Sequence, residues 1–470
     1  MFGDDFKRAP QMRPFLNVGF PFDIATGTFY KGLHNEYVLN GGLSHFTGVA
    51  GVPNLYKSTL THFFHLTILD RYPVIYGMVY DTEPPSVTYD RFRQLAKTMP
   101  NLAGDDMEKR LLLTDTTVVV GNEWFDKIKK AMKAKMDWKK DKYVLVPFAD
   151  RNGQLISMLE PNSIEVDSLS MMTLDVVDKI LDENSIGESG ANIEAMKGQA
   201  AKSQMIMQLP YLTTSSNTYF MATAHVGKTY QLDPRQPVQK QLSFLKQDLK
   251  LKNVPEKFTF LTNNLYFAAT GSPLMNRATK TPEFPRNSED ATTGDTDLML
   301  ITFVVLRAKN GPSGLPIELV FSQSEGYNPD LTALNFLRNN DKFGIGGNDR
   351  NYYLELYPDC SLSRTTVRGK LAKDARLRRA MKFTAEIAFM RAYWHRWREL
   401  LADPKDIYES LVAKGYDWDK ILDTQGYYNF LSSPKDRCWD ISTLDLLRIH
   451  AGEFEAEWCK KDATAKPVKP

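Results

Sequence analysis

The chain has 470 residues, 42% apolar and 25% charged, with a formal net charge of only +2. That length supports two or more domains with a large core, and the composition is that of a globular protein. The near-zero charge excludes a polycation that holds nucleic acid by bulk attraction, so any such contact must come from local basic segments. Cys360, Cys438 and Cys459 are too few and too scattered for a disulfide framework or a zinc cluster, which fits a reducing cytosol. Residues 1–23 carry no apolar signal region and no run is long enough to span a bilayer. Secretion and membrane insertion are therefore excluded and a cytoplasmic location is expected. No internal repeat is visible.

Residues 1–42 hold Pro10, Pro14 and Pro21 and end on Gly41-Gly42. They read either as an arm packed on or exchanged with something else, or as a plain cap on the core. Residues 43–49 are extended in character. They lead into Gly51-Val52-Pro53-Asn54-Leu55-Tyr56-Lys57-Ser58-Thr59, which reads as a phosphate-binding loop between a strand and a helix. The helix over 58–71 sets Leu60, Phe63, Phe64, Thr67 and Ile68 on one face. Such a loop turns backbone N–H groups toward a phosphate; Lys57 adds a full charge and the Ser58 hydroxyl can hold Mg²⁺. Tyr56 stands where the usual pattern has Gly. The competing reading is a tight turn before an ordinary helix. A lysine at a helix start is disfavoured by the dipole unless an anion is present, which favours the phosphate reading.

Residues 74–80 predict a buried strand that ends at Asp81-Thr82-Glu83 and is broken by Pro84-Pro85. On a strand beside the phosphate loop, Glu83 is placed to orient a water on a γ-phosphate; the alternative is a cap for a helix starting near Ser86. A strand over 110–120 and a basic amphipathic helix over 123–139 follow, the lysines reading as a solvated face. Two apolar runs, 143–148 and 155–159, flank Asn152-Gly153 and predict a hairpin. The segment 163–169 predicts a short strand ending in Asp167-Ser168, with Glu165 interrupting its apolar run. Asp167 would sit on the metal side of the phosphate site; Asp150 competes for that role, and a helix cap is the plain alternative.

Residues 182–190 read as a mobile loop, 191–209 as a helix and 218–224 as a strand ending at His225. On the same edge as Glu83 and Asp167, His225 suits a γ-phosphate-sensing role, against the commoner structural one. From 228 to 257, Lys228, Arg235, Lys240 and other cations surround Tyr230 and Phe244, a composition that suits a nucleic-acid backbone and unstacked bases. A solvated helix over 239–252 fits equally. Residues 270–296 read as a loop. A strand over 298–306 presents Arg307 and Lys309 before the turn Gly311-Pro312-Ser313-Gly314, and 317–321 returns. Residues 352–367 read as extended. From 370 to 398 nine basic residues face two acidic ones, with Phe383, Tyr393, Trp394 and Trp397 interleaved. That stretch is either a nucleic-acid or partner surface or an amphipathic helix packed on the core.

Taken together, the phosphate loop with its aromatic residue before Lys57, Tyr80-Asp81-Thr82-Glu83, Val166-Asp167-Ser168-Leu169 and Ala224-His225 resemble the phage UvsX-type recombinases of the RecA family. The similarity spans roughly 41–367. It implies an α/β fold: a RecA-type P-loop ATPase core over 43–367 with a mostly parallel central sheet flanked by helices. Outside it lie an N-terminal arm over 1–42 and a helical C-terminal domain over 368–470. It implies ATP and Mg²⁺ as cofactors, Lys57, Glu83 and His225 as catalytic groups, and Ser58 and Asp167 on the metal. Tyr89 would stack on adenine, while Arg307 and Lys309 would reach the ATP of a neighbouring copy. Ile186 and Gly187 fall in the first DNA-binding loop, and Lys228, Tyr230, Arg235 and Lys240 where the second begins.

The implied activity is DNA-dependent ATP hydrolysis that drives homologous pairing and strand exchange. The implied partners are single-stranded and double-stranded DNA, further copies in a filament, and single-strand-binding and mediator proteins in a host cytoplasm, with no membrane. A hexameric replicative helicase with the same core, and a non-catalytic protein in which Tyr56 marks a degraded nucleotide site, are the competing readings.

Overall fold

The computed structural model describes residues 13–83, 88–102, 104–115, 120–150, 152–174, 189–228, 242–245, 249–276, 278–292 and 297–461. β1 (Thr28–Lys31) and β2 (Tyr37–Asn40) form an antiparallel pair in the N-terminal segment. The core then lays down β3 (Phe46–Gly51), β4 (Tyr76–Asp81) and β5 (Leu111–Asp115). After the hairpin of β6 (Tyr143–Ala149) and β7 (Leu155–Leu159) come β8 (Asn162–Asp167), β9 (Thr218–Lys228) and β10 (Leu249–Leu251). Last in the core are β11 (Asn264–Pro273), β12 (Leu298–Ala308), β13 (Leu315–Ser322) and β14 (Gly326–Tyr327). A separate small sheet joins β15 (Ile345–Gly347), β16 (Tyr352–Leu354) and β17 (Tyr357–Leu362).

Among the described residues ten strands make one sheet, in the order β14-β13-β12-β11-β3-β9-β8-β4-β5, with β10 paired to β9. The run from β11 to β5 is parallel; β12, β13 and β14 continue it antiparallel. Its central strands are buried along almost their whole length, as parallel strands covered on both faces must be. Side chains alternate between two cores. Val49, Val79, Tyr219 and Met221 face the helix Lys57–Arg71, the N-terminal segment and the C-terminal helices. Phe46, Tyr80, Val166 and Phe220 face the helices Gly121–Met136, Ser189–Ser216 and Lys257–Leu261.

The structure corrects several expectations. The strand carrying Glu83 is not next to the phosphate-loop strand: β9 and β8 lie between β3 and β4, because the helix Lys57–Arg71 crosses over both. The loop expected over 270–296 begins later, since β11 runs to Pro273 between β3 and β12. Its apolar stretch Leu265–Ala269 is followed by Thr270, Gly271 and Ser272, and of these only the threonine carries a strand preference. In the stretch weighed as a helix over 239–252, the described residues 242–245 are not helical and Leu249–Leu251 form β10, antiparallel to β9. The strand expected from residue 110 starts at Leu111, after a short helix ending at Arg110.

Within 370–398 the helix Ala375–Tyr393 packs on the core, as the amphipathic reading expects, while Arg391, Arg396 and Arg398 near and beyond its end are exposed. Ala375–Tyr393 buries Phe383, Ile387 and Phe389, with Asp374 accepting from the Leu377 N–H at its start. Its cations are engaged within the chain: Arg376 with Asp423, Arg379 with Asp440, Arg391 with Asp403. The described N-terminal segment behaves as a cap. Phe22 lies edge-on to Phe64 and Tyr266, and the Tyr219 hydroxyl donates to Pro14 O. The C-terminal helices, this cap and one sheet face share one apolar cluster.

Candidate nucleotide site

At the carboxyl end of β3 the chain turns through two left-handed residues, Asn54 (φ 62°) and Tyr56 (φ 55°), before the helix begins at Lys57. The Tyr56 ring rests 5.0 Å from that of Phe321 on β13, which holds a conformation that L-residues rarely adopt. Lys57 is buried at the first helical position, and its Nζ donates to Val52 O at 2.7 Å, curling the loop over the ammonium. Burial lowers the Lys57 pKa, and the charges of Asp167 and Glu83 work against that shift.

β8 and β9 deliver the next groups. Asp167, at the end of β8, is buried and accepts from the Thr223 hydroxyl of β9 and from the Ser58 hydroxyl of the helix. Burial raises its pKa, countered by His62 and those hydroxyls. The peptide after it, Asp167-Ser168, is cis. Thr82 ties the ends of β4 and β8 together: its N–H donates to Asp167 O at 2.8 Å, its hydroxyl donates to Ser168 O at 2.7 Å, and the same oxygen accepts from Ser168 N.

Beyond that clasp, Glu83 Oε1 lies 2.8 Å from His225 Nε2 and accepts from the Ser168 hydroxyl at 3.3 Å. The His225 N–H donates to Ser170 Oγ, and its carbonyl accepts from Lys252 N beside β10. Its Nδ1 is buried without a hydrogen-bond partner among the described residues. Lys57, Ser58, Asp167, Glu83 and His225 thus converge on one edge of the sheet. One buried carboxylate beside a hydroxyl is a hard oxygen donor set, of the kind that suits Mg²⁺ sharing a substrate's phosphates. Among the described residues no group of three or more His, Cys, Asp or Glu forms an all-protein cage, which Mg²⁺ does not require.

Other expected residues lie elsewhere. The Tyr89 hydroxyl donates to Leu111 O at 3.2 Å and accepts from Leu113 N, which fixes the ring beside β5. Lys228 ends β9, paired with Leu249. Ile186, Gly187, Tyr230, Arg235 and Lys240 lie outside the described residues. Arg307 and Lys309 stand at the opposite edge of the sheet from the phosphate loop. Ala308 pairs with Asn264, and Asn264 with Thr47, near the start of β3. The four steps from Thr47 to Gly51 alone span about 13 Å. Arg307 Nε donates to Thr262 O, and the turn after Lys309 closes against Ala25 through Gly311. Sequence reasoning missed Thr82, Thr223 and Ser170. They are ordinary hydroxyl residues whose role shows only once strand ends are brought together.

No family model and no curated protein matches the chain. It is similar to the crystal structure of the RadB recombinase, at 14% identity over 61% of this chain and 92% of that one, with a TM-score of 0.32. A likeness that loose carries no argument about what the chain does. No helix among the described residues is long and apolar enough to cross a membrane.

Proposed function

We propose that the chain is an ATP-dependent DNA recombinase of the RecA type, close to the phage UvsX branch, which polymerises on single-stranded DNA and pairs it with homologous duplex. The observation that carries this reading is the convergence of Lys57, Ser58, Asp167, Glu83 and His225 at one sheet edge, with Arg307 and Lys309 at the other. On this reading the loop Gly51–Thr59 wraps the triphosphate, Lys57 neutralises it, and Ser58 and Asp167 hold Mg²⁺, which when bound offsets charge on the phosphates. Glu83 accepts a proton from the attacking water, and His225 orients Glu83.

Arg307 and Lys309 cannot serve the nucleotide of their own chain from the far edge, so they serve that of the next copy. A contact that joins opposite edges is heterologous, and repeated it builds a filament or a ring. His225 precedes Lys228, the end of β9 and the first of the proposed second-loop DNA contacts, by three residues, so nucleotide state would reach that segment through His225. Ile186, Gly187, Lys228, Tyr230, Arg235 and Lys240 are the proposed DNA contacts.

The test is ATP hydrolysis with and without single-stranded DNA, alongside imaging with an ATP analogue. Single-stranded DNA should stimulate hydrolysis, Lys57→Ala should abolish it, and the images should show open filaments. Hydrolysis unchanged in Lys57→Ala would overturn the site; closed rings without pairing activity would make the protein a helicase instead.

A further inference from the structure

Three residues of the helix Lys57–Arg71 face three residues of β8, rung by rung. Ser58, His62 and His65 recur at helical spacing on one stripe, and Ser163, Glu165 and Asp167 alternate onto one face of the strand. Ser58 bonds to Asp167. His62 Nδ1 donates to Glu165 Oε1 at 2.8 Å. His65 Nδ1 donates to Glu165 Oε2 at 3.2 Å, and its Nε2 lies 2.8 Å from Ser163 Oγ. Glu165 and His65 are fully buried and His62 nearly so. The neighbouring strand makes room: a Cβ on Gly77 would come within 2.0 Å of His65 Nε2. The other charged groups acting on His62 are Asp167 and Arg91, and the Phe92 ring covers it at 4.7 Å.

An apolar stripe would hold a helix on a sheet at least as well, because a buried ion pair recovers little beyond its own desolvation. What a polar stripe adds is register. A helix displaced by one turn would leave Glu165 buried and unpaired, whereas an apolar helix could slide at small cost.

We propose that Glu165, gripped by His62 and His65, is a positioning residue that fixes the phosphate helix against β8 and thereby sets how Ser58 meets Asp167. The inference rests on the reading of that first rung as the magnesium side of a nucleotide site. The two lower rungs keep helix and strand in place, so the top rung can open to a cation without the loop shifting.

The experiment uses the full chain and a fluorescent ATP analogue, bound first in EDTA and then across a Mg²⁺ titration, with thermal unfolding alongside. In the apolar triple variant His62→Leu, His65→Leu, Glu165→Val, analogue binding in EDTA should stay near the wild-type value. The Mg²⁺ concentration for the half-maximal gain in affinity should rise about tenfold, as when an outer-shell partner of a metal ligand is lost. Glu165→Gln, which keeps the shape and an acceptor for one histidine, should rise far less. Wild-type Mg²⁺ dependence in a folded triple variant would reduce the stripe to packing. Should the triple variant fail to fold, Glu165→Leu is compared with Glu165→Gln; equal Mg²⁺ dependence in those two overturns the proposal. If the wild-type chain shows no Mg²⁺-dependent gain, the nucleotide reading itself fails, and that is seen before any variant is made.

Discussion

Glu83 and His225 are joined by a 2.8 Å hydrogen bond that spans from the end of β4, across β8, to β9. The Glu83 carboxylate is a little over a third exposed and the imidazole about a fifth, so both border the open edge while being held from behind. Ser168 also donates to Glu83, and β10 anchors the far side of His225. The pair is thus a link between the site edge and β9, which ends at Lys228.

That link gives the first expectation. Glu83→Gln keeps the shape and still meets His225, but removes the proposed base. Its kcat should fall by roughly 10²–10⁴-fold while analogue binding stays near the wild-type level. His225→Ala should spare basal hydrolysis more than its stimulation by single-stranded DNA. Steady-state ATPase assays with and without DNA read both. Equal loss of basal and stimulated rates in His225→Ala would mean that the histidine serves the chemistry alone.

The opposite-edge placement of Arg307 and Lys309 gives a second. A Lys57→Ala chain and an Arg307→Ala, Lys309→Ala chain should each be inactive alone. Mixed in equal amounts, about one interface in four would pair an intact loop with intact cations, as a head-to-tail contact requires. Hydrolysis should recover to roughly that fraction. No recovery on mixing would place both halves of the site on one chain.

Much of this edge was legible before the fold. The loop Gly51–Thr59, the acid after a buried strand and the Asp-Ser strand end are local patterns, and each appears where a strand gives way to a turn. The order of the strands was not legible: nothing local says that β9 and β8 intervene between β3 and β4. β11 was missed because Thr270, Gly271 and Ser272 resemble a loop, yet they are held in the sheet by pairing with β12. Glu165 was visible as an interruption in an apolar run. Its meaning required His62 and His65, about a hundred residues earlier and spaced like ordinary helix residues. The cations of 370–398 left two readings open for the opposite reason: the acidic partners of Arg391, Arg376 and Arg379 come later, at Asp403, Asp423 and Asp440.

Tyr56 carries the third expectation. Its positive φ costs a side chain roughly 1–2 kcal/mol relative to glycine, partly offset by the ring's contact with Phe321. Tyr56→Gly should therefore change stability by no more than about 1 kcal/mol and keep analogue binding. Tyr56→Val keeps the backbone cost, loses the ring and adds β-branching, so it should lose about 2 kcal/mol or more. Urea unfolding of the three proteins decides it. A Val variant as stable as the Gly variant would show that the left-handed turn is not required in solution.

Lys135 gives the fourth, at the other end of the sheet. Its ammonium is buried, donates to Asn162 Oδ1 and Asn217 O, and lies 5.5 Å from the centre of the Trp138 ring. Burial lowers its pKa to about 7, with Glu160 opposing. In the unfolded chain the same group titrates near 10.4. Between those values the unfolded state binds more protons than the folded one, so stability contributed at this site rises with pH. Below about pH 7 both states are protonated and the slope vanishes. Lys135→Met removes the titration. The stability of the wild type relative to that variant should thus be flat below pH 7 and climb from pH 7 to 9, by at most about 1.4 kcal/mol per unit. Denaturant midpoints at several pH values measure it. A difference that stays flat to pH 9 would mean that Lys135 keeps its proton in the fold, held by the two asparagines more firmly than burial alone allows.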